Sequence, residues 1–171
     1  MLAFAKQTLF ACPGRVWADE LAEPAGAGVL RVATFNCSLN REAAGQLERD
    51  LGTDGDVQAR KVARVLRRVR PDIVLLNEFD FSEPAVAAEA FLKNYLSSEV
   101  SWARESPLQY AHRWTGPVNT GVPTGRDLDH DGKSNGPGDA FGFGRFPGQY
   151  GMLLLSRYPI RVQDVRTFQK L

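Results

Sequence analysis

Pro71-Asp72-Ile73-Val74-Leu75-Leu76-Asn77-Glu78-Phe79-Asp80 decides how this chain is read. An apolar run, opened by two β-branched residues, carries the backbone through a core and ends at a carboxylate, Glu78. A charged group in such a place is costly unless a metal ion or a cation compensates it. Working outward, Val29-Leu30-Arg31-Val32-Ala33-Thr34-Phe35-Asn36 has the same shape and ends on another oxygen-bearing side chain. Two buried strands that each deliver an oxygen ligand at the carboxyl end predict a hard-cation site on a sheet. Open α/β sheets build their sites at that end, and Mg²⁺ needs only one or two protein carboxylates. Plainer alternatives stand beside this. Glu78 would be a strand-end carboxylate paired with an arginine, and Asn36 a turn former closing its strand.

Between the two strands, Asp56–Arg70 has helical periodicity. Val62, Val65, Leu66 and Val69 form the apolar face, and Arg60, Arg64, Arg67 and Arg68 occupy the remaining surface. Asp56 suits the N-cap, and Pro71 ends the helix. Strand, helix and strand make a βαβ-like unit. Pro84 opens a further helix over Pro84–Leu96 as a first-turn proline, with Val86, Ala87, Ala90, Phe91 and Leu96 covering the sheet. Residues 37–55 read as a loop with a short helical turn near Glu42–Arg49. Residues 103–150 differ in kind: ten of the sixteen glycines lie between Gly116 and Gly151, which predicts a long irregular excursion. Gly151–Ser156 is a third buried strand.

The 171 residues make one domain or part of one. Hydrophobic content of 43% with 24% charged residues is ordinary for a globular protein, and the net charge of +1 gives no global case for nucleic-acid binding. The arginine-rich helix is read as a solvated face. Cys12 and Cys37 make neither a disulfide framework nor a zinc site, and Cys37, directly after a strand, reads as an inert, half-buried thiol. No apolar run is long enough to cross a membrane. Residues 1–28 read as a leader, poorly ordered or a degenerate export signal. Leu9-Phe10-Ala11-Cys12 faintly resembles a lipoprotein cleavage site. Export to the cell envelope and a cytoplasmic location both stay open.

Three blocks together resemble a known family. Val32–Asn36, Pro71–Glu78 and Tyr150-Gly151-Met152-Leu153-Leu154-Leu155-Ser156-Arg157-Tyr158-Pro159-Ile160 occur in the order of the endonuclease/exonuclease/phosphatase superfamily, and the likeness spans roughly residues 29–160. The resemblance implies an α/β fold, part of a four-layered sandwich of two packed sheets flanked by helices. It implies Mg²⁺-dependent hydrolysis of a phosphate ester, with Mn²⁺ as a substitute. Glu78 would ligate the ion and Asn36 would sit beside it, while the Tyr150–Ile160 block looks structural. The family's later Asp/Asn pair and Ser-Asp-His block have no match here. His112 and His130 lie outside any such block and read as surface residues. The resemblance therefore implies a truncated domain whose general base lies in a complementing C-terminal half. Phosphomonoesters, phosphodiesters and phospholipid head groups are the candidate substrates. Near-neutral charge favours a small molecule or lipid over nucleic acid.

One motif falls outside the resemblance. Asp127-Leu128-Asp129-His130-Asp131-Gly132 matches the opening of an EF-hand-type calcium loop. The closing Glu is absent: Gly138 occupies its place, and Asp139 lies one residue beyond. A solvated acidic turn is the plain alternative. If the loop binds calcium, the competing function is a non-catalytic fragment or calcium-stabilised binding module built on Asp127–Asp139. The segments Asn119–Gly121 and Gly138–Gly148 are placed beside a substrate cleft.

Overall fold

A computed structural model describes residues 28–166; the leader reading and Cys12 fall outside them. In chain order the elements are β1 (Val32–Leu39), α1 (Gln46–Leu51), α2 (Val57–Val69), β2 (Ile73–Phe79), α3 (Val86–Phe91), a wide π-type segment over Leu92–Ser97, β3 (His112–Thr115) and β4 (Met152–Ser156). Single 3-10 turns occupy Pro137–Asp139 and Val162–Asp164. The class is α/β.

The strands form one mixed sheet in the order β1-β2-β4-β3. The two strands that decide the reading are parallel neighbours, with Val32 opposite Ile73 and Asn36 opposite Asn77. α2 crosses between them, which completes the expected βαβ unit. β4 lies antiparallel to β2 on one side and to β3 on the other. Asp72 secures the lower end of the sheet. Its carboxylate accepts the Arg31 N–H at 2.8 Å and the Arg157 guanidinium at 3.2 Å.

Strand side chains alternate between the two faces. Ala33, Phe35, Cys37, Leu39, Val74, Leu76, Leu153 and Leu155 pack into the core with the helices. The opposite face carries Val32, Ile73, Leu75, Leu154, Met152 and Trp114. Val32 is 64% exposed and Met152 37%. Among the described residues one sheet is present and this face is open, so the second sheet of the implied sandwich is not part of them.

Several sequence expectations are corrected. β1 begins at Val32, leaving Val29 and Leu30 exposed, and it continues beyond Asn36 to Leu39. In α2 the Asp56 carboxylate accepts the Ala59 N–H at 2.7 Å, as a cap should. Its buried stripe, however, is Ala59, Val62, Ala63, Leu66 and Arg67; Val65 is 45% exposed. Arg67, expected on the surface, is 1% exposed because each of its three guanidinium nitrogens has a hydrogen-bond partner. It bonds the carbonyls of Tyr95, Ser98 and Glu105 at 3.0, 2.6 and 3.2 Å, and its guanidinium lies 5.5 Å from the Trp102 ring centre. The π-type segment leaves carbonyls without a regular helical partner. Arg67 supplies them.

Pro84 does not open a helix. Ala85 is the N-cap of α3, and in the turn before it the Ser82 hydroxyl donates to the Glu48 carboxylate, with the Pro84 carbonyl 3.3 Å from the same oxygen. Val86 is exposed, whereas Ala87, Phe91 and Leu96 are buried as expected. The 103–150 region also contains a strand, β3, and His112 is a half-buried member of it rather than a loop residue.

Candidate functional site

Glu78 is the centre of the site, and its backbone explains its position. The residue has φ 59°, a left-handed conformation uncommon outside glycine. Strict alternation would send Glu78 to the helix face. Instead it joins Asn36, an exposed residue of the open side, while Phe79 turns into the core to meet Phe91 at a ring distance of 5.8 Å. β1 breaks register at the same level, between Asn36 and Leu39, where Ser38 has φ 48°. Paired irregularities of this kind re-aim side chains at the ends of sheets.

Glu78 is half-buried, not enclosed. Its two oxygens are held by amides rather than by an arginine: Asn36 Nδ2 donates to Oε1 at 2.7 Å and Asn40 Nδ2 to Oε2 at 3.1 Å. The Asn36 amide oxygen accepts the Ser38 N–H at 3.2 Å. The structure thus brings Glu78 and Asn36 into contact through the Asn36 nitrogen, and it adds Asn40. Nothing in the apolar pattern marked Asn40, because it lies beyond the strand core. Its spacing of four residues from Asn36 was the only available signal. The donors here are hard oxygen-bearing groups, and two amide bonds leave further lone pairs on the carboxylate. That chemistry fits a divalent cation such as Mg²⁺.

Asp80, two residues on, ties the site to the glycine-rich excursion. It is 7% exposed and accepts the N–H of Arg41 at 2.7 Å and of Tyr150 at 3.0 Å. Burial raises its carboxyl pKa, and those two N–H groups oppose the rise. Gln149 Nε2 adds a bond to the Arg41 carbonyl at 2.6 Å. Tyr150 therefore acts through its backbone, which agrees with a structural reading of its block. Phe81 lines a cavity of about 360 Å³ with Pro117, Val118, Asn119, Val122, Phe141, Pro147 and Gly148.

The acidic loop closes differently from its sequence pattern. Asp127, Asp129 and Asp139 bring one carboxylate oxygen each within 4.8 Å of one another and could hold a metal ion. Asp131 is not in this group; its carboxylate accepts the Lys133 N–H at 2.8 Å. Asp139 takes its place because the chain doubles back through the 3-10 turn at Pro137–Asp139. The Asp139 side chain is fully buried and accepts the N–H of Leu128 at 2.8 Å and of Gly136 at 2.7 Å, which hold its carboxyl below the ordinary range.

Among solved structures, an endonuclease/exonuclease/phosphatase from Beutenbergia cavernae DSM 12333 is similar at 25% identity, with a TM-score of 0.35. The match covers 76% of this chain and 26% of that one, so the chain spans about a quarter of that relative's length. A search of curated proteins gave no match. The family model for the Endonuclease/Exonuclease/phosphatase family matches residues 33–171, which include β1, β2 and β4 and the Asn36–Glu78–Asn40 cluster. The chain belongs to that family, whose members typically hydrolyse phosphate esters and usually use divalent metals.

Proposed function

We propose that this chain carries the metal-binding part of a Mg²⁺-dependent phosphoesterase. The observation that carries the reading is Glu78, turned onto the open side of the sheet by its left-handed backbone with both oxygens oriented by amides. Glu78 would hold the ion, and Asn36 would sit beside it, orienting the carboxylate and contacting substrate phosphate. When bound, the ion neutralises charge that builds on a phosphoryl group during hydrolysis by water. The chain's own residues supply orientation, since the Asp80 and Gln149 bonds hold the segments on either side of Glu78 at fixed distance.

The cavity beside Phe81 supports a substrate with an apolar part, and a small organic or lipid phosphate ester is favoured over a nucleic-acid backbone. The open apolar sheet face supports a complementing C-terminal portion that packs there and brings the general base. In the test, the protein together with that complementing portion is assayed on generic phosphomonoesters and phosphodiesters with Mg²⁺ or Mn²⁺. Glu78→Gln should lower turnover by about two orders of magnitude or more, because charge stabilisation by such an ion is worth several kcal/mol. Unchanged turnover would remove Glu78 from the metal site.

The convergence of Asp127, Asp129 and Asp139 favours a second, compatible role. Their all-oxygen donor set suits Ca²⁺, which would stabilise the excursion, and a calcium-stabilised binding module is the alternative should hydrolysis be absent.

A further inference from the structure

We infer that Asn40 is a positioning residue for Glu78, a second amide arm without which the carboxylate does not hold its metal-binding orientation. The inference rests on the metal-site reading above. A hydrogen bond to one oxygen restrains a carboxylate about its last bond only in part, and a bond to each oxygen sets its plane. Asn36 fixes Oε1 at 2.7 Å, and Asn40 fixes Oε2 at 3.1 Å. A carboxylate offers about four lone-pair sites. One amide on each oxygen therefore sets the plane of the group and leaves each oxygen with capacity for a cation.

Asn40 is itself held, which separates it from a chance surface contact. Its carbonyl accepts Arg41 Nη1 at 3.0 Å. The Arg41 guanidinium also pairs with Asp50 at 2.6 Å and with Asp56 at 2.7 Å, and the Arg41 N–H donates to Asp80 at 2.7 Å. Asp56 is the N-cap of α2 and Asp50 belongs to α1, so two helices and the end of β2 fix the turn that carries Asn40. A strained residue such as Glu78 persists only where its surroundings over-determine it, and the Asn40 arm is one such constraint. The competing account is that Asn40 merely ends β1 as a turn former.

Asn40→Ser separates the two accounts, since serine keeps the turn preference but is too short to reach Glu78. Mn²⁺ affinity of the full chain, carrying Asp129→Asn throughout so that the acidic loop does not take up the ion, is measured by calorimetric titration, with the metal-free melting temperature as a fold control. Partners that orient a ligand typically contribute 10–100-fold in metal affinity, so Asn40→Ser should weaken Mn²⁺ binding by about tenfold or more. Asn40→Gln, which keeps the amide, should stay within about threefold of the parent on that same scale. Equal loss in Asn40→Gln and Asn40→Ser, or no loss in Asn40→Ser while Glu78→Gln abolishes binding, would overturn the role of Asn40 and leave the metal site standing. Binding unchanged in Glu78→Gln would overturn the site reading and this inference with it.

Discussion

At the scale of single residues, the molecule's polar groups are placed by backbone exceptions more than by pattern. Glu78 reaches the open face because its φ is positive, and Asp72 and Asp80 secure opposite ends of β2 by accepting N–H groups from neighbouring segments. Cys37 shows the opposite behaviour. Its thiol, expected half-buried after the strand, lies within β1 and is fully buried; it donates to the Asn77 carbonyl at 3.0 Å, and its pKa is pushed from 9.0 to about 12, chiefly by burial. Burial also raises the pKa of Tyr110, whose hydroxyl donates to the Pro71 carbonyl. A folded-state pKa above the ordinary value contributes stability that is complete below that value and is lost as pH rises through the folded one. The chain should therefore lose stability between about pH 9 and pH 12. In urea titrations across that range, Cys37→Ala should show a shallower decline than the parent. Parallel slopes would show that the thiol does not contribute.

The elements show where periodicity succeeds and where it misleads. Apolar runs located β1, β2 and β4, but they could not reveal that Arg67 belongs inside. That assignment depends on the carbonyls of Tyr95, Ser98 and Glu105, far along the chain. The excursion between β3 and β4 is irregular for a steric reason. A Cβ on Gly121, at φ 70°, would stand 1.8 Å from the Phe146 carbonyl oxygen. One on Gly148, at φ 94°, would stand 2.4 Å from that of Phe81. Backbone packed this closely against backbone admits only glycine. If Asp127, Asp129 and Asp139 hold Ca²⁺, binding to the folded state alone stabilises by about 2.7 kcal/mol at a hundredfold excess over Kd. For a chain of this size that corresponds to a rise in Tm of roughly 5–10 °C. Asp129→Asn should reduce the rise sharply in calorimetric scans with and without Ca²⁺. A Tm indifferent to Ca²⁺ would assign the cluster to a solvated acidic turn.

At the scale of the whole molecule, the helices cover one face of the sheet and, among the described residues, leave the other open. Val32, Ile73, Leu75, Leu154, Met152 and Trp114 share that open side. The 171-residue chain alone should bind a hydrophobic dye, and Met152→Lys with Leu154→Lys should suppress the signal while the helix-side core of Leu153 and Leu155 keeps the fold intact. Dye binding unchanged by the double substitution would place the exposed apolar surface elsewhere.

The sequence by itself determined the α/β class, the order of the three decisive strands, the cap of α2 and the choice of Glu78 and Asn36 as the residues to watch. Those features are carried by local patterns, by which residues alternate, cap or break. Tertiary structure alone decided the rest. Asn40 entered the site because Arg41, fixed by Asp50, Asp56 and Asp80, holds its turn against Glu78. Asp139 replaced Asp131 because the chain folds back on itself. Arg67 went inside because three carbonyls far along the chain converge on it. Each of these depends on groups brought together across long stretches of sequence, and no local periodicity encodes such a meeting.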